Sequence, residues 1–272
     1  AARLARRGTL FLTSPLGALL EEAVGTPSAD VTLELLLSHR AGLAAHRTLF
    51  APLLRGEPVD RRAALVEAAN ARRDDCAGEP GPEGFPPLYS DLGYLLAGEA
   101  MARAASQPLA DVVEGEVTLP LGLGATTAEE LIAAGLAARV APTEEAPFRG
   151  GVVRCAVHDE NAWAIGGLST CGHAGLFGTA EDVLRLGMAL LDVHGDDRPD
   201  WLSPKELAPL LRRRPGGTLR AGFDGKSKEG SSAGERFGPA SFGHLGFTGT
   251  SLWVDPDAQV VGVLLTNRVF PT

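Results

Sequence analysis

Lysine is nearly missing from this chain. Of 25 basic residues only Lys205, Lys226 and Lys228 are lysines, and the others are arginine. Any chemistry that needs a lysine amine is confined to three positions. Cysteine is as scarce, with Cys76, Cys155 and Cys171 alone. An odd, sparse set does not build a disulfide framework. No apolar run approaches the roughly 18 residues of a membrane-spanning helix, so no membrane span is read. Basic residues are outnumbered by 34 acidic ones, for a formal charge of −9. A net-acidic chain has no general attraction for nucleic acid or anionic lipid, and no nucleic-acid partner is expected. With 44% hydrophobic and 22% charged residues, the chain is neither disordered nor collagenous. Its 272 residues fit one large domain or two lobes.

Helical signals dominate the first two thirds. Ala1–Arg7 reads as the tail of a helix, and Thr9–Leu12 as a short extended piece. Thr32 is placed to cap a helix through about Ser38, which Gly42 ends. Further helices are expected over Asp60–Arg73 and Asp91–Ala105, with a Gly/Pro loop over 77–87 between them. Thr179 with Asp182 resembles a capping box, and Val183, Leu186, Leu190 and Leu191 recur at helical spacing over Ala180–Val193. The stretch 120–175 reads as long loops, and 213–240 as an exposed connection. Phe242–Val254 and Gln259–Asn267 read as strands around the turn Asp255-Pro256-Asp257-Ala258.

Several polar groups invite a chemical reading. Gly230-Ser231-Ser232-Ala233-Gly234 fits the spacing of a nucleophile elbow, but charged residues flank it where a strand and a helix are needed, so it reads as a solvated loop. Cys155, His158, Cys171 and His173 could supply a tetrahedral zinc site, though their spacing matches no common finger. No metal or cofactor is expected. Tyr89-Ser90-Asp91 sits where a loop meets a helix: Tyr89 could move a proton and Asp91 orient a neighbour, or Asp91 could cap the helix and Tyr89 pack. Phe242–Ser251 carries three glycines in strand-like sequence, which signals either close approach of a ligand or another backbone, or a bulge. Gly172–Gly178 could wall a pocket or pack tightly.

Taken in order, four segments resemble one family, the serine β-lactamase and penicillin-binding-protein-like hydrolases of class C type. Thr32–Leu43 is similar to its "LLSHTSGL" segment. Tyr89-Ser90-Asp91 is similar to its Y-x-N element. Val157–Ala162 with Gly172–Ala180 resembles its loop ahead of a late helix, and Gly243–Trp253 its K/H-T-G strand. The resemblance implies an α+β, two-lobed fold: an antiparallel sheet flanked by helices, beside a mostly helical lobe. It implies one partial domain over 1–272, with the helical lobe at about 30–200 and a sheet-lobe hairpin at about 240–269. It also implies acyl transfer through a serine. Tyr89 then matches the proton-exchanging tyrosine and His244 the substrate-holding Lys/His. Asp91 stands where Asn is commoner, and Gly246 and the Phe247 N–H form part of an oxyanion site.

Two departures qualify that implication. The family nucleophile lies in Ser-x-x-Lys, yet the residues three before the lysines are Leu202, Phe223 and Gly225. The motif is therefore expected upstream of residue 1, and the chain alone is expected to be inactive. Leu245 stands where the family has Thr or Ser, which argues against an efficient β-lactamase or D-Ala-D-Ala carboxypeptidase. The expectation is a serine hydrolase of the esterase or muropeptide-amidase-like branch, taking a small-molecule acyl or peptidoglycan-like substrate. The alternative is a catalytically silent binding module. The compartment stays open between cytoplasm and periplasm.

Overall fold

A computed structural model describes residues 1–195 and 200–271. Seven helices frame it: α1 (Ala2–Arg6), α2 (Leu33–Leu37), α3 (Arg61–Asn70), α4 (Asp91–Ala105), α5 (Glu160–Gly166), α6 (Ala180–His194) and α7 (Pro204–Leu211). Most start on a side chain that satisfies an otherwise orphaned N–H. Thr32 accepts from Leu35 N–H, and Asp60 from Ala63 N–H at 3.0 Å. Asp159 accepts from Ala162 N–H at 2.7 Å. Thr179 and Asp182 form the capping box of α6. At α4 the cap is Ser90, whose hydroxyl accepts from Gly93 N–H at 3.3 Å. Asp91 is therefore the first helical residue and not the cap, which leaves its carboxylate free for other work.

Two cores result. One gathers Leu33 and Leu36 of α2, Leu65 and Ala68 of α3, and Leu95 and Leu96 of α4. The other lies between α6, α7 and a sheet, and holds Leu190, Val193, Leu207, Phe242 and Val254. A pair of short strands, β1 (Glu144–Ala146) and β2 (Gly151–Val153), stands apart. The larger sheet runs β3 (Asp224–Gly225), β4 (Phe242–Gly246), β5 (Thr250–Asp255) and β6 (Val260–Leu265) in sequential antiparallel order. Its register sets His244 opposite Leu252 and Gly246 opposite Thr250. Helix α6 lies close on the sheet because Gly187 has no side chain: a Cβ there would come within 2.5 Å of Val261 and 2.8 Å of Leu252.

Four local expectations need correction. Phe242–Val254 is not one strand but two, folded back at Phe247-Thr248-Gly249, where Gly249 takes a φ of +95° that L side chains rarely adopt. Residues 120–175 are not all loop; they hold β1, β2 and α5, each too short to show a period. Residues 213–240 are only partly exposed, since Arg214, Arg220 and Ala221 are buried. Thr9–Leu12 forms no strand.

Candidate active site

The glycines of the last hairpin are explained by neighbouring backbone. A Cβ on Gly243 would lie 1.9 Å from the Leu252 carbonyl oxygen, and one on Gly246 2.1 Å from Thr250 Oγ1. This close strand contact holds His244, Leu245 and Phe247 at one side of the site. His244 Nδ1 lies 2.8 Å from the Leu245 carbonyl oxygen. A carbonyl can only accept, so Nδ1 carries the proton, and Nε2 is the nitrogen left for other partners. Phe247 lies just past the last ladder pair, Gly246 with Thr250. Its carbonyl accepts from Arg268 Nε at 2.8 Å, and its exposed ring stacks on His158 at 5.6 Å between centroids.

Facing this strand is the start of α4. The Tyr89 and His244 rings stand 6.0 Å apart, although they lie far apart in the chain. Tyr89 is 45% exposed, and its other ring neighbour is His39 at 4.4 Å. Burial of that face, then the carboxylates of Asp91 and Asp159, push its phenol up to about 12. Tyr89 therefore stays protonated across the physiological range. Asp91 is half-buried, and its carboxyl is raised by burial and by Asp159, with His173, His46 and His244 opposing. Each of these groups is close enough to Asp91 to influence its charge.

A buried pair supports this side. His173 Nε2 lies 2.8 Å from Asp159 Oδ1. Burial works against charge on His173, but Asp159 and Cys171 outweigh it and raise the imidazole to about 10. Asp159 is lowered: burial opposes this, and the His173 contact and the Ala162 N–H overcome it. The loop carrying His173 is seated on α4 by absent side chains. A Cβ on Gly172 would fall 1.8 Å from the Tyr94 carbonyl oxygen, and one on Gly98 2.6 Å from Gly172 Cα. Gly172–Gly178 is thus a packed loop at its start. Beside the pair, Asn161 Oδ1 accepts from Phe50 N–H at 3.1 Å, and its Nδ2 donates to the Arg47 carbonyl at 2.7 Å. That ties the loop of His46 to α5.

All 272 residues match the family model described as Beta-lactamase. The chain belongs to the Beta-lactamase family. Among curated relatives of this Beta-lactamase-family chain is a "Putative D-alanyl-D-alanine carboxypeptidase" of Salmonella agona (strain SL483), 32% identical over 196 residues. That alignment covers 66% of this chain and 45% of the relative, so the chain spans about half the length of the curated relatives it matches. Among solved structures, a family VIII carboxylesterase superposes with a TM-score of 0.67 at 20% identity, over 98% of this chain and 73% of that one. A penicillin-binding-protein homologue from Caulobacter crescentus gives 0.65 at 20% identity, over the same shares. These likenesses establish the expected α+β β-lactamase-like fold.

The structure thus brings Tyr89, Asp91 and His244 together, with Gly246 and Phe247 on the adjoining strand. It does not assemble a zinc site: Cys155 Sγ faces the Ala128 carbonyl, His158 stacks on Phe247 and His173 is paired with Asp159. No group of three or more potential metal ligands exists among the described residues. Ser231 accepts from Ala233 N–H in a loop without adjoining strand or helix, as read from its flanks. Among the described residues no helix is long and apolar enough to cross a membrane. Sequence reasoning missed His39, His46, Asn161 and the Asp159–His173 pair. Of these, only His39 lay inside a quoted motif, and nothing in the motif says which way its ring turns.

Proposed function

We propose that this chain is the substrate-binding and proton-transfer part of a serine hydrolase that works through an acyl-enzyme on an ester, amide or peptidoglycan-derived substrate. The observation that carries the reading is the opposition of Tyr89 and His244 at 6.0 Å, with Asp91 beside them. In this reading the nucleophilic serine, with its lysine, comes from sequence outside these 272 residues, which form one partial domain of the enzyme. Tyr89, held protonated, acts first as the acid that protonates the leaving group; having given up that proton, it is the base for the incoming water or amine. His244 offers Nε2 to the substrate. The Phe247 N–H, at the end of the ladder, donates to the oxygen that becomes negative.

Leu245 narrows the substrate. It is 45% exposed beside His244 and has no hydroxyl to grip a carboxylate. That favours neutral ester or amide substrates over the C-terminal carboxylate of a D-Ala-D-Ala peptide, despite the name of the Salmonella relative. The absence of Ser-x-x-Lys from the chain also supports a second reading, a binding module that keeps the site without turnover.

The full gene product separates the two when incubated with a fluorophosphonate probe and a fluorescent penicillin, with adducts mapped by mass spectrometry. The hydrolase reading expects an adduct on a serine three residues before a lysine, and fluorophosphonate labelling in preference to penicillin. Tyr89→Phe should then lower kcat/KM for an ester by about 10²–10⁴-fold. A folded gene product that takes neither probe is the binding module.

A further inference from the structure

We infer that His39 is a positioning residue of this site: its carbonyl, its Nδ1 and its ring together fix the segment that presents Tyr89. The inference rests on the reading of Tyr89 as the proton-transfer group. The Leu88 N–H donates to the His39 carbonyl at 3.1 Å, and the Ser90 N–H donates to His39 Nδ1 at 3.0 Å. The residues on both sides of Tyr89 are therefore bonded to this one histidine, while its ring lies 4.4 Å from the Tyr89 ring.

The histidine is itself held. It is buried, and the Tyr94 ring stacks on it at 4.9 Å and 26°. The Tyr94 hydroxyl is in turn bonded to the Leu37 carbonyl at 2.8 Å. His39 takes a φ of +58°, in the left-handed region that few non-glycine residues adopt. Such a conformation persists where its surroundings over-determine it. Here it follows directly on α2 and lets carbonyl and side chain serve one tripeptide. A residue that only filled the core would need neither the acceptor nor this backbone. The work requires the neutral ring, because the Ser90 N–H is aimed at the lone pair of Nδ1. Burial and the nearby His244 keep it neutral, with a pKa lowered to about 4.

Tyr89 and Tyr94 are the only two tyrosines, so ring-¹³C-tyrosine NMR reads Tyr89 alone once Tyr94→Phe has assigned the signals. Three variants divide the contacts. His39→Asn keeps an acceptor and tolerates the left-handed backbone. His39→Phe keeps a ring and removes the acceptor. His39→Ala removes both. The expected result for His39→Ala is a Tyr89 signal moved toward that of free tyrosine; for His39→Phe, a broadened one. For His39→Asn it is a single sharp signal, displaced only by loss of the stacked ring. In the full gene product, His39→Ala should lower kcat on an ester by about 10²-fold, the cost of a misplacement near 1 Å. KM should change little, and His39→Asn should restore most of kcat.

A folded His39→Ala protein with the Tyr89 signal in place overturns the inference, as does one whose kcat is unchanged in an active gene product. If His39→Ala does not fold, as judged by circular dichroism, the pair His39→Asn and His39→Phe decides: equal Tyr89 signals in both overturn it. If the gene product with His39 intact turns over nothing, the hydrolase reading falls, and the Tyr89 signals still decide whether His39 holds the tyrosine.

Discussion

The two sides of the site are held in place by opposite means. On the strand side, His244, Leu245 and Phe247 are placed by a backbone ladder, and the glycines between them are there because a neighbouring chain segment occupies the space of a side chain. On the helix side, Tyr89 and Asp91 are placed by side chains: His39 bonds to both neighbours of Tyr89, and Asp159, His173 and Asn161 knit the surrounding loops. The strand side carries little titratable charge and leaves Leu245 and Phe247 open to solvent. The helix side carries buried groups with displaced pKa values. A ladder tolerates changes of exposed side chains and fails when the backbone is pushed apart. A polar cluster does the reverse.

Breaking the cluster should have the largest effect. Asp159→Asn keeps the cap of α5, since Asn caps as well as Asp, but removes the charge that pairs with His173. Loss of one partner of a largely buried pair should cost about 3 kcal/mol. The pH dependence identifies the source. His173 is raised from 6.5 to about 10, so its contribution is complete below 6.5 and fades as pH rises to about 10. Asp159 is lowered from 3.8, so its contribution is complete above that value and lost as pH falls below it. The difference in urea midpoint between wild type and Asp159→Asn should be greatest from about pH 4 to 6.5 and shrink toward pH 10. A difference that does not vary with pH would mean the pair is not charged.

On the strand side the sharper break is Gly243→Ala. The new Cβ meets the Leu252 carbonyl, which belongs to backbone and cannot swing away. Overpacking of this kind costs about 1–3 kcal/mol, readable as a lowered urea midpoint. Gly246→Ala should cost less, because the atom it meets is the Thr250 hydroxyl, which can rotate. The smallest effect expected is that of Leu245→Thr. At an exposed position stability should change by no more than about 0.5 kcal/mol. Yet kcat/KM of the gene product for a carboxylate-bearing substrate should rise about tenfold, the worth of one hydrogen bond to a charged group. No gain would mean that the hydroxyl is not what the substrate preference depends on.

The same contrast explains what could be read from the sequence. Helices α4 and α6 were legible from their period and from start signals at Ser90–Asp91 and Thr179. Tyr89, Asp91 and His244 were legible through family segments whose order survives in the chain. The glycines of β4 announced a close approach, but only the register showed that strand β5 makes it. What could not be read was made by tertiary contact. Asp159 and His173 sit in separate loops, with nothing in either to name the other. The hold of His39 on Tyr89 depends on a backbone angle that histidine rarely takes. Arg214 and Arg220 are polar letters in a Gly-rich stretch, and they are buried all the same.

Helix α4 also works as a measuring rod. Asp91, Tyr94 and Gly98 fall at intervals of three and seven residues, on one face. The first bears the carboxylate of the site, and the other two seat the loop that delivers His173. The spacing between Asp91 and the Asp159–His173 pair is thus written in residues along this rod. Inserting a single residue between Asp91 and Tyr94 would turn the seat by about 100° and shift it about 1.5 Å along the axis. The chain can drift in sequence along this helix, but it cannot change the count.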